Sequence, residues 1–344
     1  MSTWSDDGGE PLAHLGGGQL ATGLVELSDD PRVLDGRGRW AVVITFEGQL
    51  TCARFSSWRP AALPPRRAWR GPDPGAWTSS LDQAAYVAAV AETRERIAAG
   101  TVYQANICRV LSAPLVASTP DLVPLATVLA QRHRAPFAGM VQLPDAGVHV
   151  VTASPELFLR REGRHIASSP IKGTGRTVAD ITGKDVAENV MIVDLVRNDL
   201  SRVCETGTIA VRDLLAVEKH PGLVHLVSTV TGRLAAGAGW PELLAAAFPP
   251  GSVTGAPKSS ALATISDLET APRGPYCGAV GWVDADTGRG ELAVGIRTFW
   301  VSGGMLRFGT GAGITWGSVP EHEWRETELK AERLVGLASA EPDM

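Results

Sequence analysis

The segment that most constrains this chain is 157–176. Leu157 to Arg160 reads as a strand, Glu162-Gly163 as a turn and Ile166 to Ser169 as the returning strand. The hairpin runs straight into Ser169-Pro170-Ile171-Lys172-Gly173-Thr174-Gly175-Arg176, and so delivers Lys172 at the end of a strand, where rigid scaffolds present reactive groups. Pro170 fixes its own φ and biases Ser169 towards an extended conformation, while Gly173 lets the backbone turn tightly or approach a ligand without a Cβ clash. Eight residues leave three roles open for Lys172: a nucleophile, an anion clamp, or a solvated lysine beside a turn.

Elsewhere the chain alternates strands and helices. Residues 1 to about 38 are glycine-rich and acidic and predict a loose start. Trp40 to Phe55 predicts a hairpin turning at Glu47-Gly48, and the Pro, Arg and Gly-rich stretch 57–76 predicts a linker. A helix is expected from a cap at Ser79 or Ser80 to Gly100, followed by a strand in which Gln104 and Asn106 share a face. The helix expected over Ile181 to Cys204 carries Asp185 and Glu188 on one face. The last helix, about Pro320 to Leu337, carries Glu323, Glu326 and Lys330 at spacings of three and four. If the two acid pairs face each other, they repel unless a divalent cation lies between them. Mg2+, which takes few protein ligands and keeps several waters, is the natural candidate.

Three other features bear on chemistry. Gly251 to Lys258 resembles a phosphate loop only superficially, because Ala256-Pro257 separates the glycine from the lysine. Arg297 is a guanidinium in an otherwise apolar strand and needs an anionic partner or a cleft. His225 lies in an apolar run, where a histidine is more often a hydrogen-bonded core residue than a catalyst. A net charge of -5 with both signs dispersed offers no footprint for nucleic acid and no basic membrane patch. The four cysteines show no paired spacing, and no stretch reads as a signal peptide or membrane span, so a reducing cytoplasm is the expected location.

Taken in order, Tyr103-Gln104-Ala105-Asn106, Ser154-Pro155-Glu156, Pro170 to Thr174, Glu188 to Asp199, Gly251 to Lys258, Arg273 to Tyr276, Ile296-Arg297-Thr298, Gly311-Ala312-Gly313 and Glu323 to Lys330 resemble the chorismate-utilising enzymes. The resemblance covers about Ser80 to Ala331. It implies an α+β fold, an anthranilate-synthase-like α/β sandwich with antiparallel sheets around a buried site and helices outside. It implies a short N-terminal region over 1–78 and a chorismate-binding catalytic domain over 79–340. Arg297, Tyr276 and the Gly313 backbone would hold the enolpyruvyl carboxylate, while Mg2+, Gly173 and Ser252 would hold the ring carboxylate. Glu188 and Glu326 would be the principal metal ligands, with Glu323 and Asp185 beside them. His225 and Lys330 also match active-site positions, and His225 becomes a candidate proton donor.

Within the family, isochorismate and salicylate synthases have a lysine base where this chain has Gln104, and anthranilate synthases have alanine where it has Lys172. The lysine resembles aminodeoxychorismate synthase component I most closely. That resemblance implies attack by the Lys172 amine on C2 of chorismate, loss of the C4 hydroxyl, and addition of ammonia at C4. Lys172 would then have to be desolvated or lie beside another cation. No cysteine has the setting of a glutaminase nucleophile, so a separate glutamine amidotransferase subunit is expected to supply ammonia. An anthranilate synthase large component, or a non-catalytic chorismate-binding subunit, are the alternatives.

Overall fold

The computed structural model describes residues 9–66, 68–115, 121–175, 177–181, 183–220 and 223–339. Among these, eighteen strands join one continuous antiparallel network. Six α-helices accompany it: α1 (Gln83–Ala98), α2 (Val123–Arg132), α3 (Gly183–Ser201), α4 (Trp240–Ala247), α5 (Lys258–Leu268) and α6 (Pro320–Ser339). The fold is α+β, as expected. No described helix is long and apolar enough to cross a membrane.

The expected hairpin forms between Arg39–Ile44 and Leu50–Pro60. The expected loose start does not: Leu12–Leu15 pairs with Phe137–Leu143, and Gln19–Ser28 pairs with Leu50–Pro60. The glycines at 16–18 are the turn between these strands, so their abundance reflects a tight connection and not an unstructured one. Arg39–Ile44 also pairs with Ala279–Asp284, which bonds the N-terminal strands to those far along the chain.

Helix α1 begins later than Ser79 or Ser80. Asp82 caps it by accepting from the Ala85 N–H at 2.8 Å. The two serines are occupied by the neighbouring strand Gln104–Pro114: Ser79 pairs with Leu111, and the Ser80 hydroxyl accepts from the Val110 N–H at 2.9 Å.

The strand Gln104–Pro114 lies against Met305–Ile314 along its whole length. Alternation puts Gly309, Gly311 and Gly313 on one face of the latter strand. Because none has a Cβ, large side chains rest directly on its backbone: the Tyr276 ring on Gly309, Cys108 Sγ on Gly311 and the Gln104 amide on Gly313. Helix α6 is fixed over the same strands. The buried Arg109 guanidinium stacks 4.1 Å from the Trp324 ring, and its Nε donates to Thr327 Oγ1 at 2.9 Å. Thr310 Oγ1 donates to Thr327 O at 2.9 Å, which sets the rotation of α6.

A Cβ at residue 309 would enter the Tyr276 ring, whereas one at Gly317 meets nothing within 4 Å. Gly309→Ala should therefore cost about 1–3 kcal/mol of stability by overpacking, and Gly317→Ala much less. Denaturant unfolding of the two variants checks this, and equal effects would contradict the seating of Tyr276.

Candidate active site

Lys172 lies within the strand Ile171–Gly175, paired with Leu226, rather than after a strand as the sequence suggests. Pro170 breaks the preceding strand, His165–Ser169, and the chain resumes pairing one residue later. Gly173 has φ +71° at a register shift, and a Cβ there would stand 3.0 Å from Asp185 Cβ. The residue is therefore constrained twice, by its left-handed backbone and by the carboxylate packed on it.

Lys172 Nζ donates to Ser252 O at 3.2 Å and lies 3.8 Å from Glu188 Oε2, with 13% and 11% of the Lys172 and Glu188 side chains exposed. The expected desolvation is present, but the near neighbour is an anion and not a cation. Glu188 is held there by the residue beside it. Asn189 Nδ2 donates to Leu226 O at 3.2 Å and its Oδ1 accepts from Ser228 at 2.5 Å, pinning α3 to the strand that pairs with Lys172.

The residue that sequence reasoning left without a role is Glu156. It precedes the strand Leu157–Glu162, and its N–H is fixed by Ser154 Oγ at 3.2 Å. Its carboxyl is buried, accepts from the Ser252 hydroxyl and the Ile171 N–H, and feels the charge of Lys172. Burial outweighs these stabilising contacts and pushes its pKa up to about 7. The Ser-Pro-Glu motif was the available signal, but nothing in three residues announces complete desolvation. Behind Glu156 and Ser252 a cavity of about 20 Å3 reaches Asp199, with room for roughly one water. Lys258, the lysine of the loop that mimics a phosphate site, is committed to Asp199 at 2.6 Å and to Ala247 O at 3.0 Å.

The glycine face closes the site. A Cβ at Gly313 would stand 3.5 Å from Glu188 Oε2 and would strike the Gln104 amide nitrogen. Gln104 Oε1 is buried with no hydrogen-bond partner among the described residues. Two residues back, Gly311 O accepts from Lys330 Nζ at 2.9 Å, and Lys330 pairs with Glu326 at 2.7 Å. Tyr276 is buried, and desolvation first, then nearby thiols, raises its phenol pKa well above the usual value, so it stays a neutral donor. Arg297 adopts φ +52°, and burial lowers its pKa. Among the described residues its guanidinium has neither a hydrogen-bond acceptor nor a carboxylate partner. His225 is described by its backbone, opposite Thr174 and Glu218, and its side chain lies outside the described residues.

Contacts thus draw together Lys172, Gly173, Asp185, Glu188, Ser252 and Gly313, with Lys330 and Glu326 reached through the same glycine strand. Among the described residues, no three His, Cys, Asp or Glu side chains form a ready metal cage. The donors still suit Mg2+. They are carboxylate oxygens only, with Glu188 and Glu323 buried on separate helices, and Mg2+ completes its shell with water and substrate oxygens.

Buried carboxyls stand around Lys172, and the Arg297 backbone follows three residues after Val294, whose N–H donates to Glu156 O at 3.0 Å. The family model of chorismate binding enzymes matches residues 48–336, and the chain belongs to that family. It is 40% identical to anthranilate synthase component 1 of Streptomyces coelicolor over 75% of this chain and 52% of that one. It is 33% identical to aminodeoxychorismate synthase component 1 of Salmonella typhimurium over 86% of this chain and 68% of that one. The chain thus spans about half the length of the first relative. Its fold matches anthranilate synthase component I from Streptococcus pneumoniae, with a TM-score of 0.77 and 21% identity over 94% of this chain and 90% of that one. It also matches a menaquinone-specific isochorismate synthase from Escherichia coli, with a TM-score of 0.79 and 18% identity over 97% and 90%.

The Glu156 carboxyl also makes a pH signature. The unfolded chain releases this proton near 4.5 and the folded chain near 7, so between those values the unfolded state binds fewer protons and stability falls as pH rises. Glu156→Gln removes that loss. Its stability relative to the wild type should improve from pH 5 to pH 8, by at most about 3 kcal/mol. Denaturant titrations across pH check this, and a difference independent of pH would contradict the raised carboxyl.

Proposed function

We propose that the protein is an aminodeoxychorismate synthase component I, converting chorismate and ammonia to 4-amino-4-deoxychorismate and water. The observation that carries the reading is Lys172, presented by a strand with Glu156 and Glu188 against it. Chorismate would sit with its enolpyruvyl carboxylate on Arg297, Tyr276 and the Gly313 N–H, and its ring carboxylate near Gly173 and Ser252. The described residues Glu188 and Glu326, with Asp185 and Glu323 beside them, would hold Mg2+, which when bound neutralises the ring carboxylate.

Lys172 Nζ, as the free amine, attacks C2 of the ring, both conjugated ring double bonds shift, and the C4–O bond breaks. Glu156, which holds its proton up to about pH 7, gives that proton to the departing oxygen, so water leaves. Ammonia then adds at C4 and the C2–N bond to Lys172 breaks. The ammonium group formed at C4 returns a proton to Glu156, and no net proton is consumed. Glu156 fills from the described residues the donor role for which His225 is the sequence candidate. Gln104, a neutral amide, offers no base to activate water at C2. Ammonia would come from a separate glutamine amidotransferase subunit. All four cysteines of this chain are buried, and burial raises the Cys52 and Cys204 thiols to about 12 and about 11, which leaves them unsuited to a glutaminase nucleophile.

One observation favours a second reading. The Streptomyces coelicolor relative named an anthranilate synthase is more nearly identical, at 40%, than the Salmonella aminodeoxychorismate synthase at 33%. Mass spectrometry of the product from chorismate, Mg2+ and ammonium separates the two. The expected product carries nitrogen at C4 and keeps the enolpyruvyl group, and Lys172→Ala should slow its formation by on the order of 100-fold or more. Anthranilate with released pyruvate would establish the second reading, and no turnover would overturn both.

A further inference from the structure

Arg297 sits where strands end together. Its carbonyl accepts from the Ala153 N–H at 3.0 Å, Ala153 pairs with Ala138, and Thr298 pairs with Thr152. The strand Phe137–Leu143 is entered from the C-terminal end of α2, which brings His133, the residue that ends α2, to this corner. The corner is fixed. The His133 N–H donates to Leu129 O at 2.7 Å, and Arg333 of α6 donates to Arg132 O at 2.7 Å.

His133 Nε2 is buried and has no hydrogen-bond partner among the described residues. Leaving such a nitrogen unmatched is costly, and proteins keep one where a ligand or water will satisfy it. The charge of Arg297 reaches the imidazole, and among the described residues Arg297 has no carboxylate partner. If Nε2 carries the imidazole hydrogen, one carboxylate in this corner can take that N–H on one oxygen and the Arg297 guanidinium on the other.

We propose that His133 is a further substrate-binding residue, donating from Nε2 to the same substrate carboxylate that Arg297 binds. The charged groups facing the ring are Arg297 and Arg333. With desolvation as the larger cause, they hold its pKa down at about 4, so the ring is neutral, and the proposal places its one hydrogen on Nε2. A neutral donor adds a directed hydrogen bond without a second cation beside Arg297. The inference rests on the reading of the pocket as a chorismate site, with the enolpyruvyl carboxylate as the shared anion.

The test measures chorismate affinity, with Mg2+ and without ammonium, in a Lys172→Ala background where the substrate is not consumed. His133→Ala should weaken binding by about tenfold, while His133→Gln, whose amide restores a neutral N–H donor, should stay within about threefold of the parent. Melting temperatures of both variants report folding. Unchanged affinity in His133→Ala overturns the assignment and leaves the proposed function standing. Equal weakening in both variants, with or without lower melting temperatures, also overturns it, because a donor role requires rescue by glutamine. A parent that fails to bind chorismate overturns the reading of the pocket itself.

Discussion

Lys172 and Glu188 face each other at 3.8 Å with little of either side chain exposed, and the Glu156 carboxyl is buried beside them. An ionised Glu156 beside Glu188 would put a second negative charge where water cannot screen it, and such a charge is expensive. The proton retained by Glu156 up to about pH 7 removes it. The neutral acid, the Lys172–Glu188 approach and the two donors to Glu156 are one electrostatic arrangement, and the surrounding structure holds its members in place. Asn189 locks α3 to the strand opposite Lys172, and the Asp199–Lys258 pair ties the end of α3 to the start of α5.

Room beside these charges comes from missing side chains. The glycine face of Met305–Ile314 lets Tyr276, Gln104 and Glu188 approach one backbone, and α6 brings Lys330 and Glu326 to the same strand. The pocket is therefore asymmetric. One region carries the buried carboxyls, and among the described residues Arg297 has no carboxylate partner and His133 Nε2 no hydrogen-bond partner.

Much of this was legible in the sequence because the chemistry is carried by short motifs whose order is informative. Lys172 stood out between a proline and a glycine, and Asp185 with Glu188 by helical spacing. Both readings depend only on local geometry. Glu156 was not legible, since its raised pKa is created by strands and a loop up to about a hundred residues away that exclude water from it. His133 followed the same rule: its unmatched nitrogen exists only because α2, α6 and the strand end meet. The N-terminal strands were read as loose because their partner, Phe137–Leu143, is remote in sequence and glycine-rich turns look alike whether or not they join strands.

The proposed reaction requires a bond between Lys172 and the substrate. Intact-protein and peptide mass spectrometry after mixing the protein with chorismate and Mg2+ in the absence of ammonia tests it most directly. The expected result is an increment equal to chorismate less one water, located on the peptide that contains Lys172 and discharged when ammonium is added. Efficient amination with no adduct on Lys172, trapped or transient, would contradict it.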